Sequence, residues 1–274
     1  MPRIRQVGSS AERTPLKHGL LNMLLGKILG ASSRLSWLTN NLLIDTCGGD
    51  GCSNAWSGTS SPILFCHHAS LCKKPTRCII VEKSDHEFSK LAALMDIIDT
   101  KKIVEVLHGD YRSEEIARAI GRCSPSTNCF LHIDPNHAND VGKIEHLYSN
   151  LSEYVLMLVT LGCNASGIKR LPVEQRMEWF CCLEYLLGIM RHNHDACLVR
   201  LEKDAAQWAY LITAPEVWKG HIRTMVRDLS RVYWAKGVEM RWYRDDPKAF
   251  WQAAELLFLK IDGSESGYGN GNRI

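Results

Sequence analysis

Leu42-Leu43-Ile44-Asp45-Thr46-Cys47-Gly48-Gly49-Asp50-Gly51 decides how this chain is to be read. An apolar run reaches an acid and a glycine-rich turn follows at once. That order predicts a buried strand over 41–46 which ends at Asp45, after which the chain reverses tightly. Glycines permit the positive φ angles of such a turn and let a ligand approach the backbone. The spacing is Asp-x-x-x-Gly-x-Gly, not the Gly-x-Gly-x-x-Gly of phosphate-cradling dinucleotide loops. A ligand here meets a carboxylate as well as main-chain amides, which suits a cationic or hydroxyl-rich molecule better than a pyrophosphate.

Three further apolar runs finish on or beside an acid: Cys78-Ile79-Ile80-Val81 before Glu82, Val104-Glu105-Val106-Leu107 before His108-Gly109-Asp110, and Cys129-Phe130-Leu131-His132-Ile133 before Asp134. Helix-like segments separate them. Short apolar runs alternating with helices indicate parallel strands. Ligands of open α/β sheets bind outside the carboxyl ends of the strands. The four acids are therefore expected to converge on one crevice. The expected fold class is α/β, a Rossmann-like doubly wound sheet. It is mostly parallel, with an antiparallel C-terminal hairpin formed by Ala196–Glu202 and Gln207–Thr213.

The Asp45-to-Gly51 spacing resembles the first motif of class I S-adenosylmethionine (SAM)-dependent methyltransferases. The order Lys17-His18, Asp45-x-x-x-Gly49-x-Gly51, Gly58-Thr59-Ser60-Ser61-Pro62 and Asp134-Pro135 is similar to the three-Cys-motif partner family, methyltransferase-like proteins of phages and mobile elements. It also resembles a bacterial ribosomal-RNA adenine methyltransferase family. The resemblance covers roughly residues 15–165. It implies SAM as cofactor, with Asp45 and the Gly48, Gly49 and Gly51 backbone at its amino-acid end, Glu82 at the ribose hydroxyls, and Asp110 near the adenine amino group. It implies that Asp134, Pro135, Asn136 and His137 face the acceptor. In methyltransferases of exocyclic amines this motif is Asp/Asn-Pro-Pro-aromatic. Here Asn136 stands for the second proline and His137 for the aromatic, so His137 would stack on a base or act as a general base, or the chemistry has changed or been lost. The partner family further implies a companion protein.

A chain of 274 residues can bury a full core, and a net charge of +3 is not that of a polycation. Residues 1–15 read as a loose basic arm, 16–262 as one methyltransferase-like domain and 263–274 as a disordered tail. Within the domain, helices are expected at about 16–30, 62–72, 172–192, 215–235 and 247–259, a fifth strand at 154–159, and a further strand at 237–243. Ser61 is the expected N-cap of the second helix, with Pro62 at its first position. Eleven dispersed cysteines point to reduced thiols and a cytoplasmic setting. No apolar stretch reaches transmembrane length, and the segment 20–29 is broken by Asn22 and Lys27, so no membrane association is expected.

Cys47, Cys52, Cys66, His67, His68, Cys72 and Cys78 invite a zinc reading, but no paired Cys knuckle supports it and no metal is expected. His192-Asn193-His194-Asp195 reads as a polar loop. Lys219, Arg223, Arg227 and Arg231 recur every four residues, a stripe about 18 Å long at the helical rise of roughly 1.5 Å per residue. Such a stripe can track the phosphates of a nucleic acid or simply face solvent. Nearby Trp218, Trp234, Trp242 and Tyr243 are expected in the core.

Two functions follow. One is an enzyme that transfers a methyl group from SAM to a nucleic acid, at a base amine. The other is a methyltransferase-like binding module that serves a companion protein without methyl transfer.

Overall fold

The structure, a computed structural model, describes residues 13–51, 60–134, 155–160, 194–201, 210–229, 231, 238–243, 246–249 and 252. The expected loop 52–60 (apart from Ser60), the helix at 172–192, nearly all of that at 247–259 and the tail 263–274 lie outside the described residues.

Thirteen described elements follow one another. They are α1 (Arg13–Ser32), β1 (Asn40–Asp45), α2 (Ser61–Ser70), β2 (Thr76–Glu82), α3 (Asp85–Ile98), β3 (Val104–His108), α4 (Glu114–Ile120), β4 (Thr127–Ile133), β5 (Leu156–Thr160), β6 (His194–Leu201), β7 (Tyr210–Pro215), α5 (Glu216–Leu229) and β8 (Val238–Trp242). Eight strands form one sheet in the order β3-β2-β1-β4-β5-β7-β6-β8. β1 to β5 pair in parallel. The α/β doubly wound expectation holds. Its antiparallel hairpin is β6 with β7; within the sheet β7 lies between β5 and β6 and is antiparallel to both, so β6 runs with the parallel strands. β8 pairs antiparallel to β6 and adds a second reversed strand at the edge. The order doubles back between β1 and β4, and that reversal is where such folds open a crevice.

The two faces of the sheet can be told apart by alternate residues. Leu43, Cys78, Ile80, Phe130, Leu156, Leu158 and Ile212 share one apolar cluster with side chains of α1, α2, α3 and α5. Their neighbours Leu42, Ile44, Ile79, Val81, Leu131 and Ile133 are buried but outside that cluster, as period-two alternation requires. Ile116, Ala117 and Ile120 of α4 are also buried outside it. A right-handed return from β3 to β4 puts α4 on the opposite face.

Helix α1 begins at Arg13, three residues before the expected start. Leu20, Leu21, Leu24, Leu25 and Ile28 are at most 1% exposed, while Asn22, Lys27 and Gly30 face out, so the helix is amphipathic as read. Each such buried side chain contributes roughly 1.5–3 kcal/mol relative to exposure. α1 packs against α2 and α5, which roofs the sheet face carrying Leu43 and Phe130.

Local signals set the starts of the helices. Ser84 caps α3, its hydroxyl accepting from the Glu87 amide, and Ser113 caps α4 through the Ile116 amide. At α2 the cap is Ser60 and not Ser61, and its side chain makes no cap bond. The Ser60 hydroxyl instead donates to the Gly51 carbonyl and ties the helix start to the glycine turn.

Beneath the crevice, at the other end of the strands, Asn41 joins three elements. Its Oδ1 accepts from Ser32 Oγ at 2.7 Å and Asn128 Nδ2 at 2.9 Å, and its Nδ2 donates to Thr76 Oγ1 at 3.0 Å. This buried network fixes the register of β1 between β2 and β4.

Candidate functional site

The turn after β1 has the backbone its glycines predict. Gly49 has φ +59° and Gly51 φ +74°, both in the left-handed region that side chains disfavour. Gly48 is needed for space: a Cβ there would lie 2.6 Å from Ile80 Cγ2 and 2.7 Å from Leu91 Cδ2. The Gly48 amide donates to the Val81 carbonyl at 3.0 Å, so the turn is sewn to the end of β2.

Glu82 closes this seam. Its Oε2 accepts from the Gly49 amide at 2.7 Å and its Oε1 from the Ser84 amide at 2.8 Å. The residue read as the ribose acceptor thus also holds the glycine turn. Carboxylates offer about four acceptor positions, so these two bonds do not exhaust it.

Asp110 follows β3 and lies in the same region. Arg112 grips it through Nε to Oδ1 at 2.8 Å and through its guanidinium to Oδ2 at 2.6 Å. Lys83 Nζ lies 3.0 Å from the same Oδ2. The Arg112 bonds, with Lys83 beside them, hold the Asp110 carboxyl well below the usual carboxylate range. Arg112 and Lys83 had not been picked out in the sequence. His108 Nε2 is 3.0 Å from Asp85 Oδ1, and its ring rests on Phe88 at 4.8 Å.

The other half of the crevice is a buried polar cluster. Asp45 and His132 are neighbours in register on β1 and β4, and both are fully buried. His132 Nδ1 sits 3.0 Å from Asp45 Oδ1, which also accepts from the Cys47 amide at 3.4 Å. Above them, Lys17 of α1 reaches Asp134 Oδ2 at 2.6 Å. Burial opposes the Lys17 charge, but Asp134, with help from Asp45 and the Cys47 thiol, more than offsets this and raises its pKa above the ordinary lysine value. His18 beside it is pushed down to about 4, by burial first and by the Lys17 charge second. It is therefore neutral at pH 7. Burial, with Asp134 and Asp45 close, drives the Cys47 thiol far above its usual range, so it stays protonated and is no nucleophile.

Asp45, Gly48, Gly49, Gly51, Glu82, Asp110 and Asp134 thus all lie at the carboxyl-terminal end of the parallel strands. Pro135, Asn136 and His137 lie outside the described residues. His132 carried a signal that went unread: a histidine inside an otherwise apolar buried strand needs a polar partner.

The four cations are in different situations: Lys219, Arg223 and Arg227 lie on α5, which ends at Leu229 and not at the expected 235, and Arg231 lies in a turn beyond it. Lys219 Nζ is 2.7 Å from Asp195 Oδ2, and the Asp195 side chain is fully buried. The expected polar loop at 192–195 is corrected here, because His194 and Asp195 belong to β6. Arg223 stacks over the Trp242 ring at 4.8 Å. Arg227 and Arg231 are the exposed pair, each within 4 Å of Asp228, at 3.7 and 3.6 Å. Trp218 and Trp242 are buried, as read; Trp234 lies outside the described residues.

Among the described residues no group of three or more His, Cys, Asp or Glu side chains is placed to hold a metal ion. Cys66 and Cys78 are buried free thiols, and His68 bonds Asn22 Oδ1 at 2.7 Å. No helix among the described residues is long and apolar enough to cross a membrane.

No protein-family model and no curated protein sequence matches this chain. Solved structures do. The O-methyltransferase from Bacillus cereus in complex with SAH is 13% identical, with 78% of this chain and 94% of that one covered and a TM-score of 0.47. M. jannaschii TYW2 in complex with AdoMet is 12% identical over 77% of each chain, with a TM-score of 0.42. Aeropyrum pernix fibrillarin, crystallised with natively bound S-adenosyl-L-methionine, is 14% identical over 65% of this chain and 66% of that one, with a TM-score of 0.41. The ligands and activities in those descriptions belong to those proteins.

Proposed function

We propose that this chain binds SAM at the crevice above β1, β2 and β4 and transfers its methyl group to a nucleic acid, at a base amine. One observation carries the cofactor reading. Two left-handed glycines stand between a buried acid, Asp45, and a second acid, Glu82, at the point where the strand order reverses.

The residues present fit that cofactor. Gly48 seats the turn against the buried Ile80 and Leu91, and Gly49, where a Cβ would meet nothing within 4 Å, leaves the backbone of the turn open to a ligand. Asp45 Oδ2 is buried with no hydrogen-bond partner among the described residues, and an ammonium group satisfies such an atom. Glu82 has acceptor positions left for paired hydroxyls. SAM supplies the electrophilic methyl; the protein supplies placement. Asp134 would accept from the acceptor amine, and Lys17 keeps it ionised. Catalysis of this kind rests on positioning and fixed electrostatics. His137 would stack on the acceptor or take its proton. Of the row Lys219, Arg223, Arg227 and Arg231, the last two are the most exposed and would contact a phosphate backbone first.

A second reading has its own support. One Asp134 oxygen, Oδ2, is already bonded by Lys17 at 2.6 Å, which ties up part of the carboxylate that would meet an acceptor amine. That favours a binding module of the three-Cys-motif partner type, associated with a mobile element and a companion protein, in which the cofactor cleft survives without transfer.

Calorimetric titration with SAM and SAH tests the cofactor, with a dissociation constant on the order of micromolar expected, about −8 kcal/mol. Labelled-methyl incorporation into DNA and RNA pools, with and without proteins encoded nearby, tests the chemistry. Binding without incorporation in any pool selects the second reading. No heat with either ligand ends the enzyme reading and leaves a partner module that binds no SAM.

A further inference from the structure

We infer that His132 is a positioning residue for the cofactor's amino-acid end: it pins one oxygen of Asp45 so that the other is presented to an ammonium. The inference rests on the SAM-binding reading above.

The geometry is specific. A carboxylate can only accept, so His132 Nδ1 must carry the proton of the 3.0 Å contact. The backbone of His132 is fixed, and its ring has Phe65 beside it while Nε2 has no hydrogen-bond partner among the described residues. The carbonyl of His132 accepts from both the Thr46 amide at 3.0 Å and the Thr46 hydroxyl at 3.1 Å, which locks β4 to the end of β1. Its ring lies 6.1 Å from the Phe65 ring, at 36°, and Phe65 is fully buried in α2. The Cys47 amide adds a second donor to the same Asp45 oxygen. Both donors fall on Oδ1. Oδ2 has no partner among the described residues although the side chain is fully buried. Lys17, the cation closest by charge, spends its hydrogen bond on Asp134.

The charges agree with this assignment. His18 is neutral and Lys17 bonds Asp134, so an ammonium at Asp45 Oδ2 enters a cluster in which the lysine is already committed to the other carboxylate. A ligand that lacks the amino-acid portion gains nothing from Oδ2.

The experiment measures dissociation constants for SAH and for 5′-methylthioadenosine, which lacks the amino-acid end, on the full chain. His132→Leu is expected to weaken SAH tenfold or more and to leave methylthioadenosine within about twofold. His132→Asn places an amide N–H where Nδ1 was and is expected to restore SAH to within about threefold of wild type. His132→Gln places its N–H nearer the Nε2 position and is expected to behave as His132→Leu; it replaces that variant should leucine prevent folding. In an Asp45→Asn background, His132→Leu is expected to add nothing. The inference is overturned if His132→Leu or its glutamine substitute leaves SAH unchanged. It is also overturned if SAH and methylthioadenosine weaken equally, or if the loss persists in the Asp45→Asn background. A wild type that binds neither ligand defeats the cofactor reading itself, a result distinct from these.

Discussion

The three glycines of the β1 turn are present for different physical reasons, and alanine at each should separate them. Gly49→Ala meets nothing within 4 Å, so its whole cost is the left-handed backbone at φ +59°. That is worth about 1–2 kcal/mol. Gly48→Ala has an ordinary backbone but brings a methyl to 2.6 Å from Ile80 Cγ2 and 2.7 Å from Leu91 Cδ2. Ile80 and Leu91 are fully buried, so neither can swing aside, and overpacking of this kind costs about 1–3 kcal/mol. Gly51→Ala combines φ +74° with contacts at 2.6 Å to Leu94 Cδ2 and 3.0 Å to Leu91 Cδ1. Leu94 is only partly buried and can give way; Leu91 cannot. The sum is about 2–5 kcal/mol. Urea unfolding of the three variants should therefore rank Gly51→Ala as the most destabilised and Gly49→Ala as the least. Gly49→Asn should recover part of the loss, because asparagine tolerates the left-handed region. The Gly49 amide survives in both of its variants, so the bond to Glu82 is kept. If Gly49→Ala proves as costly as Gly51→Ala, or asparagine recovers nothing, the separation of strain from crowding is wrong.

Three other outcomes are expected. His18 is pushed down to about 4 in the folded chain against an ordinary 6.5, so the unfolded chain binds the extra proton between those values. The stability His18 contributes is complete above pH 6.5 and is lost as pH falls toward 4, up to about 3 kcal/mol at roughly 1.4 kcal/mol per pH unit. His68, also pushed down to about 4, adds a second loss in the same window, and urea midpoints of His18→Gln from pH 7.5 to 4.5 should show a shallower slope. Asn41→Ala removes its bonds to Ser32, Asn128 and Thr76 together, although Thr76 keeps the Lys74 carbonyl, and chemical unfolding should show a loss of about 2–4 kcal/mol. Lys219→Gln removes the cation 2.7 Å from buried Asp195 and should cost about 1.5–3 kcal/mol of stability, whereas Arg227→Glu with Arg231→Glu should leave stability within about 0.5 kcal/mol. If the nucleic-acid reading is right, the double reversal flattens the salt dependence of binding by about one unit of slope per lost phosphate contact.

The order of apolar runs, glycine turn and acids was enough to read an α/β sheet with its acids at one end, because period and punctuation are local properties. The cap at Ser113 and the left-handed glycines follow from the same short-range chemistry; at α3 the adjacent Asp85 reads as the cap, and the structure uses Ser84. The hairpin after the parallel strands was legible, but not the insertion of β7 between β5 and β6, since strand order depends on crossovers and not on composition. What only the tertiary structure decided is which side chains meet. Lys17 and Asp134 stand 117 residues apart, and Asp45 and His132 stand 87 apart. Register between β1 and β4, and the lie of α1 over them, bring each pair within bonding distance. The stripe from Lys219 to Arg231 shows the same limit in reverse. Its four cations look equivalent by spacing, yet packing gives Lys219 a buried carboxylate and Arg223 an indole face. Local sequence sets which groups a strand end or helix face carries; the fold sets the field and the partners each of them meets, because those come from segments distant in the chain.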